Sequence, residues 1–235
     1  MLHYFDSIRP ESIDGHALDQ LLAFGWYRMH QTLFTCSHIG ANDEHRVHWL
    51  RYDIGQIKRH ASHQRIRRKN KSFQFTIQPT GSIEKEAIEL YDRYYATIDF
   101  DGAGSIQQCL WGDEDPTSTI FDTKCVSIFD QSKLIAIGYF DCGQKAAASI
   151  LHGYHPDYSR YSLGKYLILL TLDYLRANDY RYYYPGYVIE DLDKMDYKLF
   201  LGKDQAEYFK PEILSWQFFK DELLVRDSVS KSKLN

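Results

Sequence analysis

The chain has 235 residues, with 28 Lys plus Arg against 32 Asp plus Glu, a formal net charge of −4 and a mean hydropathy of −0.47. A chain of this length buries roughly 70% of its unfolded surface, enough for one large domain or two packed small ones without covalent staples. Cys36, Cys109, Cys125 and Cys142 form no CxxC pair, which excludes a zinc ribbon or a disulfide framework and suits a reducing cytoplasm. No basic segment leads into an apolar run at the start, and no apolar stretch approaches the length of a membrane span, so neither secretion nor membrane insertion is expected. The 19 tyrosines supply flat faces that carry a hydroxyl, suited to half-buried strands and equally to a polar, partly aromatic ligand.

In chain order, Ala17, Leu18, Leu21 and Leu22 recur at helical spacing between Asp14 and Phe24, and Gly25 stops that helix. Strands are expected over 26–36 and 45–52, joined by a loop over 37–44; the second alternates Val47 and Trp49 with Arg46 and His48. The next stretch carries Lys58, Arg59, Arg65, Arg67, Arg68, Lys69 and Lys71 and no acid. The net −4 therefore divides into +7 on fourteen residues and −11 elsewhere. A run of one sign without i,i+4 acids suits a phosphate-bearing partner as well as a solvated helix face. Pro79-Thr80-Gly81 marks a boundary between an N-terminal region, 1–78, and a second domain, 79–235.

Ser82 is expected to cap a helix with Ile83, Ala87, Leu90, Tyr91 and Tyr94 on one face, and a short helix starts at Ser105. Three strands follow as an antiparallel meander: Ile120 to Asp130, Leu134 to Asp141 and Ala147 to Tyr154. An apolar helix capped by Ser162 runs to Asn178, and a strand from Tyr180 to Tyr184 lies beside the third of the meander. Hairpin, strand, glycine-bearing turn, buried helix, strand is the order of the GCN5-related N-acyltransferase fold. The expected architecture is therefore α+β, a mixed sheet flanked by helices with a smaller N-terminal α/β region packed on it.

In that fold the turn before the buried helix offers unpaired amides to an acyl carrier. Coenzyme A users carry Arg or Gln, two residues, Gly, one residue, then Gly or Ala. Here Arg160-Tyr-Ser-Leu-Gly164-Lys165-Tyr166 has one glycine at another spacing and a bulky Tyr166, which weakens a coenzyme A reading. Several strings in order resemble the arginyl-tRNA–protein transferase family instead. They are Ser149-Ile-Leu-His-Gly-Tyr-His-Pro-Asp157, Ser162-Leu-Gly164, Tyr182-Tyr-Tyr-Pro-Gly186-Tyr187-Val-Ile189 and Lys194-Met195-Asp-Tyr197-Lys198. The basic Gln64-Arg65-Ile-Arg67-Arg68-Lys69-Asn70 and the early Gly25-Trp-Tyr-Arg28 fit the same family, and the resemblance spans roughly residues 15 to 215.

The resemblance implies transfer of an amino acid, arginine first and leucine next, from aminoacyl-tRNA to the α-amino group of a protein beginning with Asp or Glu. That reaction tags N-degrons and needs no cofactor beyond the aminoacyl-tRNA co-substrate; a cytoplasmic monomer is expected. The implied roles are Asp157 and His155 for orienting or deprotonating the amine, and Tyr154, Ser162, Leu163, Gly164, Tyr184, Gly186 and Tyr187 for the aminoacyl-tRNA 3′ end. Arg28, Lys194 and Lys198 would meet the acidic N-terminus of the substrate, the two lysines alternatively a tRNA phosphate, and Lys58, Arg59, Arg65, Arg67, Arg68, Lys69 and Lys71 the tRNA backbone.

The family's N-terminal cysteine cluster is missing, since only Cys36 lies in the corresponding stretch. Cys36, His38, His45 and His48 do not replace it as a metal set, because on a strand His45 and His48 face opposite ways. Asp99-Phe-Asp101-Gly begins like a calcium loop but has Leu110 at the twelfth position and is discarded. Two other readings stay open: a coenzyme A-dependent N-acyltransferase on the same fold, and a non-catalytic tRNA-binding relative.

Overall fold

The computed structural model describes residues 3–40, 45–98, 102–116 and 119–224, apart from the side chain of Lys194; the discarded Asp99 and Asp101 lie outside them. The N-terminal elements are β1 (Phe5–Ile8), α1 (Gly15–Ala23), β2 (Tyr27–Met29), β3 (Thr32–Cys36), β4 (His38–Ile39) and β5 (His45–Asp53). The single strand expected over 26–36 is a hairpin, reversed at His30, whose φ is +58°. Asp14 caps α1 by accepting from Ala17 N at 2.7 Å. The strands β1, β3 and β2 form a small antiparallel sheet in that order.

After α2 (Ala61–Lys69) come β6 (Gln74–Pro79), α3 (Lys85–Tyr95), α4 (Ile106–Trp111), β7 (Thr123–Asp130), β8 (Lys133–Cys142) and β9 (Ala146–Tyr154). A 3-10 helix, Pro156–Tyr161, leads into α5 (Leu163–Ala177), followed by β10 (Tyr182–Ile189). The 3-10 helix Asp193–Leu201, β11 (Ala206–Lys210) and β12 (Ser215–Phe218) follow, with short 3-10 turns between and after them. Ser105 caps α4 as expected, but Glu84 rather than Ser82 holds the cap position of α3, and Ser162 precedes α5 in a left-handed conformation with no capping side-chain bond.

The large sheet runs β12-β11-β5-β10-β9-β8-β7-β6, with β4 on β5. All its pairs are antiparallel except β9 with β10. This is the mixed, helix-flanked sheet expected from the sequence, extended on both sides. The strand β6 pairs with β7 on one flank, and β5 sits between β10 and β11 on the other. Residues on both sides of position 79 therefore share one sheet, so a division at 79 does not separate two hydrogen-bonded units.

One face of the sheet is covered by α5 and α2. Leu163, Leu167, Leu170 and Leu175 are buried there against Ile128, Ile135, Phe140 and Ala147. The other face carries α1, packed through Leu18 and Leu22 near Ala146, Ala148 and Tyr184, and α3 with α4, packed near Ile137 and Tyr139. Helix α5 is apolar on nearly every side, which is why it is buried rather than amphipathic. Leu167→Ala, at a fully buried position, is expected to cost about 2–5 kcal/mol, read as a lower urea midpoint at unchanged slope.

Candidate active site

Where β9 and β10 run together, Tyr182, Tyr183 and Tyr184 pair with Ala146, Ala147 and Ala148. Beyond that point no pairing joins the two strands. Pro185 lacks the N–H that a ladder needs, and Gly186 adopts a φ of +99°. A register shift between Tyr183 and Gly186 turns β10 toward β5, while a shift between Ser149 and Leu151 bends β9 on β8. The strands part, and a cavity of about 700 Å³ opens between them, of the size that takes a nucleotide-like ligand.

The cavity has an aromatic wall at either end. Tyr27 stacks on Trp49 at 4.2 Å, with Phe34 and Tyr187 edge-on to Trp49 at 5.5 and 5.1 Å. At the other end Tyr94 lies 4.9 Å from Tyr154 and 6.0 Å from Tyr91, and burial pushes the Tyr94 phenol up to about 12. Ser162, Gly164 and Lys165 bring the first turn of α5 to the cavity, where the leading amides of a helix are unpaired and electropositive.

Between the two walls sit Ser149, His152 and Lys198. The Lys198 Nζ donates to the Tyr187 carbonyl at 3.0 Å and lies 4.7 Å from the centre of the Tyr187 ring. A Cβ at Gly186 would stand 3.0 Å from that Nζ, so the glycine leaves the room the ammonium occupies. Burial lowers Lys198 to about 7, and burial with the nearby Lys198 charge holds His152 down to about 4. Ser149 Oγ and His152 Nε2 are 3.3 Å apart. No Asp or Glu lines the cavity among the described residues.

Of the residues expected at the aminoacyl-tRNA 3′ end, Tyr154, Ser162, Gly164, Gly186 and Tyr187 line this cavity together. Leu163 and Tyr184 do not. Leu163 is fully buried in the core beneath α5, and Tyr184 is buried beside Tyr27 and Trp216 on the α1 face, so neither side chain is a ligand platform. Asp157 is exposed outside the cavity lining, and His155 is buried against Arg93 and Lys133, its pKa lowered by burial and then by Lys133. The structure therefore does not bring that pair to the cavity.

Arg28 borders the cavity but is spent on the fold. Its guanidinium donates to Asp141 Oδ1 and Thr123 Oγ1 at 2.8 Å each and to the carbonyls of His30 and Leu110, with both charged side chains 1% exposed. A carboxylate from a substrate would have to displace Asp141. Of the candidate metal set, His45 lies 3.0 Å from Asp191, while His48 is buried and held down to about 4 by desolvation.

The basic stretch is α2 and its flanks. Arg59, Arg65, Arg68, Lys69 and Lys71 are exposed, whereas Arg67 is tied to Asp173 and the Leu169 carbonyl and Lys58 lies 3.8 Å from Asp204. Asn70 donates to the Tyr161 carbonyl at 3.0 Å, and Lys69 and Arg160 both lie over the Tyr161 ring. The basic face thus adjoins the turn that leads into α5.

A family model described as "Arginine-tRNA-protein transferase, C terminus" matches residues 86–206. The chain belongs to that family. Among its relatives, "Arginyl-tRNA--protein transferase 1" of Saccharomyces cerevisiae is 33% identical over 104 residues, 44% of this chain and 20% of the yeast protein. "Aspartate/glutamate leucyltransferase" of Shewanella sp. (strain ANA-3) is 26% identical over 199 residues, 81% of this chain and 78% of that one. The chain thus spans a fifth of the yeast relative's length and most of the bacterial one's. A solved structure, the C-terminal domain of a putative lysylphosphatidylglycerol synthetase from Agrobacterium fabrum, aligns at TM-score 0.45 and 14% identity over 62% of this chain and 49% of that one. The family match covers α3 to the start of β11, the segment that builds the parting strands.

Two outcomes test this description. Arg28→Met leaves Asp141 buried without its counter-ion and is expected to cost about 3–5 kcal/mol in denaturant melts, with part of the loss recovered in Arg28→Met/Asp141→Leu. His48 and His152 bind protons less readily folded than unfolded, so acidification from pH 6.5 toward 4 protonates the unfolded chain first and stability falls across that window. The melting temperature against pH is expected to show this decline, shallower in His48→Gln.

Proposed function

We propose that the protein transfers an amino acid from the 3′ end of a charged tRNA to the α-amino group of a protein. The observation that supports this reading best is the cavity where β9 and β10 part, lined by tyrosines and Trp49 and adjoined by the basic face of α2. The terminal adenosine stacks on an aromatic wall, as bases do on such platforms without regard to sequence. The ester carbonyl oxygen, negative in the tetrahedral intermediate, meets the amides that open α5. Exposed Arg65, Arg68 and Lys69 take phosphates of the acceptor stem and supply affinity and register rather than chemistry.

The acceptor begins with Asp or Glu, and Lys165, which lines the cavity with its ammonium 5.5 Å from the Phe200 ring, turns to meet its side chain. The donor side chain faces Tyr27, Phe34 and Trp49, ring faces that accept leucine by apolar contact or arginine by a cation–π contact. Purified protein with labelled Arg-tRNA or Leu-tRNA and peptides starting with Asp, Glu or Ala tests the reading. Transfer to the acidic peptides from one of the two tRNAs is expected; transfer from neither sinks it. In a binding titration, replacing Arg65, Arg68 and Lys69 by alanine is expected to flatten the dependence of tRNA affinity on salt by about one logarithmic unit of slope for each phosphate-binding cation removed. An unchanged slope places the tRNA elsewhere.

A further inference from the structure

The resemblance to the transferase family assigns Lys198 to the acidic side chain of the acceptor, a task for a permanent cation. The geometry points to a different one. Its Nζ is held between the Tyr187 carbonyl, which takes one of its hydrogens, and the face of the Tyr187 ring, over a glycine whose missing Cβ leaves the space. The Lys198 main chain is fixed as well, since the buried Tyr52 hydroxyl donates to its carbonyl at 3.0 Å. The groups that meet the amine are His152 from β9 and Tyr187 from β10; Tyr94, Tyr154, Lys165 and Tyr197 line the same cavity. None of these is an anion at neutral pH; the Tyr187 carbonyl and ring face favour the ammonium, burial opposes it, and the balance lets the amine lose its proton near pH 7.

We propose that Lys198 is the proton acceptor of the transfer reaction, an inference that rests on the function proposed above. The acceptor's α-ammonium gives one proton to the neutral Lys198 Nζ. The freed amine attacks the ester carbonyl carbon, and the C–N bond forms as the carbonyl π pair moves to oxygen. When that pair returns, the C–O bond to the ribose breaks, and the second proton of the attacking nitrogen goes to the leaving ribose oxygen. The products are the peptide amide, the ribose hydroxyl and a Lys198 ammonium that loses its proton to water. Gly186 is the positioning residue, because any side chain there moves the amine off the Tyr187 carbonyl.

The test joins kinetics with direct labelling of the wild-type protein. In kcat/KM for an acidic peptide, wild type is expected to rise as Lys198 loses its proton near pH 7 and to hold that level as the peptide amine loses its own. Lys198→Arg keeps a cation in place but cannot take the proton. It is expected to lose about 10²–10⁴-fold at pH 7 and to rise only with the free amine, whose pKa is about 7.7–8. Competitive labelling with acetic anhydride, read by peptide mass spectrometry, is expected to find Lys198 titrating near pH 7, below the other lysines. A Lys198→Arg rate within threefold of wild type, or a Lys198 that labels like an ordinary surface lysine, overturns the proposal. A wild-type protein that transfers from no charged tRNA overturns the function proposed above and this role with it, whereas transfer with an indifferent Lys198→Arg overturns this role alone.

Discussion

The separation of two parallel strands is the constraint on which the site depends. A parallel pair is held by N–H and carbonyl groups of alternate residues along each strand, and Pro185, which has no N–H, follows the last shared pair, where β10 leaves β9. The orphaned edges do not close on each other. Each strand is instead satisfied on its outer side, β9 by β8 and β10 by β5, through register shifts placed just past the last shared pair. The opening is therefore held from outside by two antiparallel ladders and from below by α5, whose first turn reaches the cavity while the rest of the helix is core. Within that opening Gly186 is where the polypeptide yields room to Lys198, so the backbone break that makes the cavity also seats its most perturbed amine.

The second constraint is the buried pair of Arg28 and Asp141. It joins the small N-terminal sheet to β7 and β8 through a guanidinium that also bonds Thr123 and two carbonyls. Such a pair contributes modestly to stability compared with an apolar replacement, because two charges have been taken from water. Its removal by halves is what costs. Its effect on the site is positional, because β2 and β3 carry Tyr27 and Phe34 into the aromatic wall beside Trp49.

Elements with strong local signals are legible in the sequence. Leu167, Leu170 and their neighbours announce a buried helix, the polar turns near 131 and 143 announce the meander, and the order of those pieces announces the acyltransferase-like sheet. The strands β6 and β12 are short edge strands and β11 is a short strand beside β12; β6 joins β7 and β11 joins β5 only through partners far along the chain, so no local pattern marks them as part of the sheet. Arg28 resembles an anion-binding cation in the sequence because its true partner is 113 residues away. Tyr184 resembles a platform because a run of three tyrosines does not reveal which ring faces a cavity and which a core. Ser149 and His152 escape for a sharper reason. Alternation assigns positions three apart to opposite faces, and the extra residue of the β9 bulge resets the count, bringing their side chains within 3.3 Å.

The distribution of charge joins the fold to the reaction proposed for it. The α2 stretch carries seven cations, while the rest of the chain sums to −11, so a polyanion feels attraction at one place and repulsion over much of the remainder. That field fades over about 8–10 Å of physiological salt, so it orients a tRNA only at close approach. What converts orientation into placement is the short link from α2 through Asn70 to the Tyr161 carbonyl and on to the turn at Ser162. In the proposed complex, a tRNA backbone on Arg65, Arg68 and Lys69 lies one turn of chain from the cavity proposed for its 3′ end. The interior needs the opposite character. In the proposed reaction the ester and the attacking amine meet among rings and amides, and a fixed cation at Lys198 would repel the ammonium from which it is proposed to take a proton. A charged exterior and a lysine kept near neutrality inside are two parts of one electrostatic arrangement, separated by the first turn of α5.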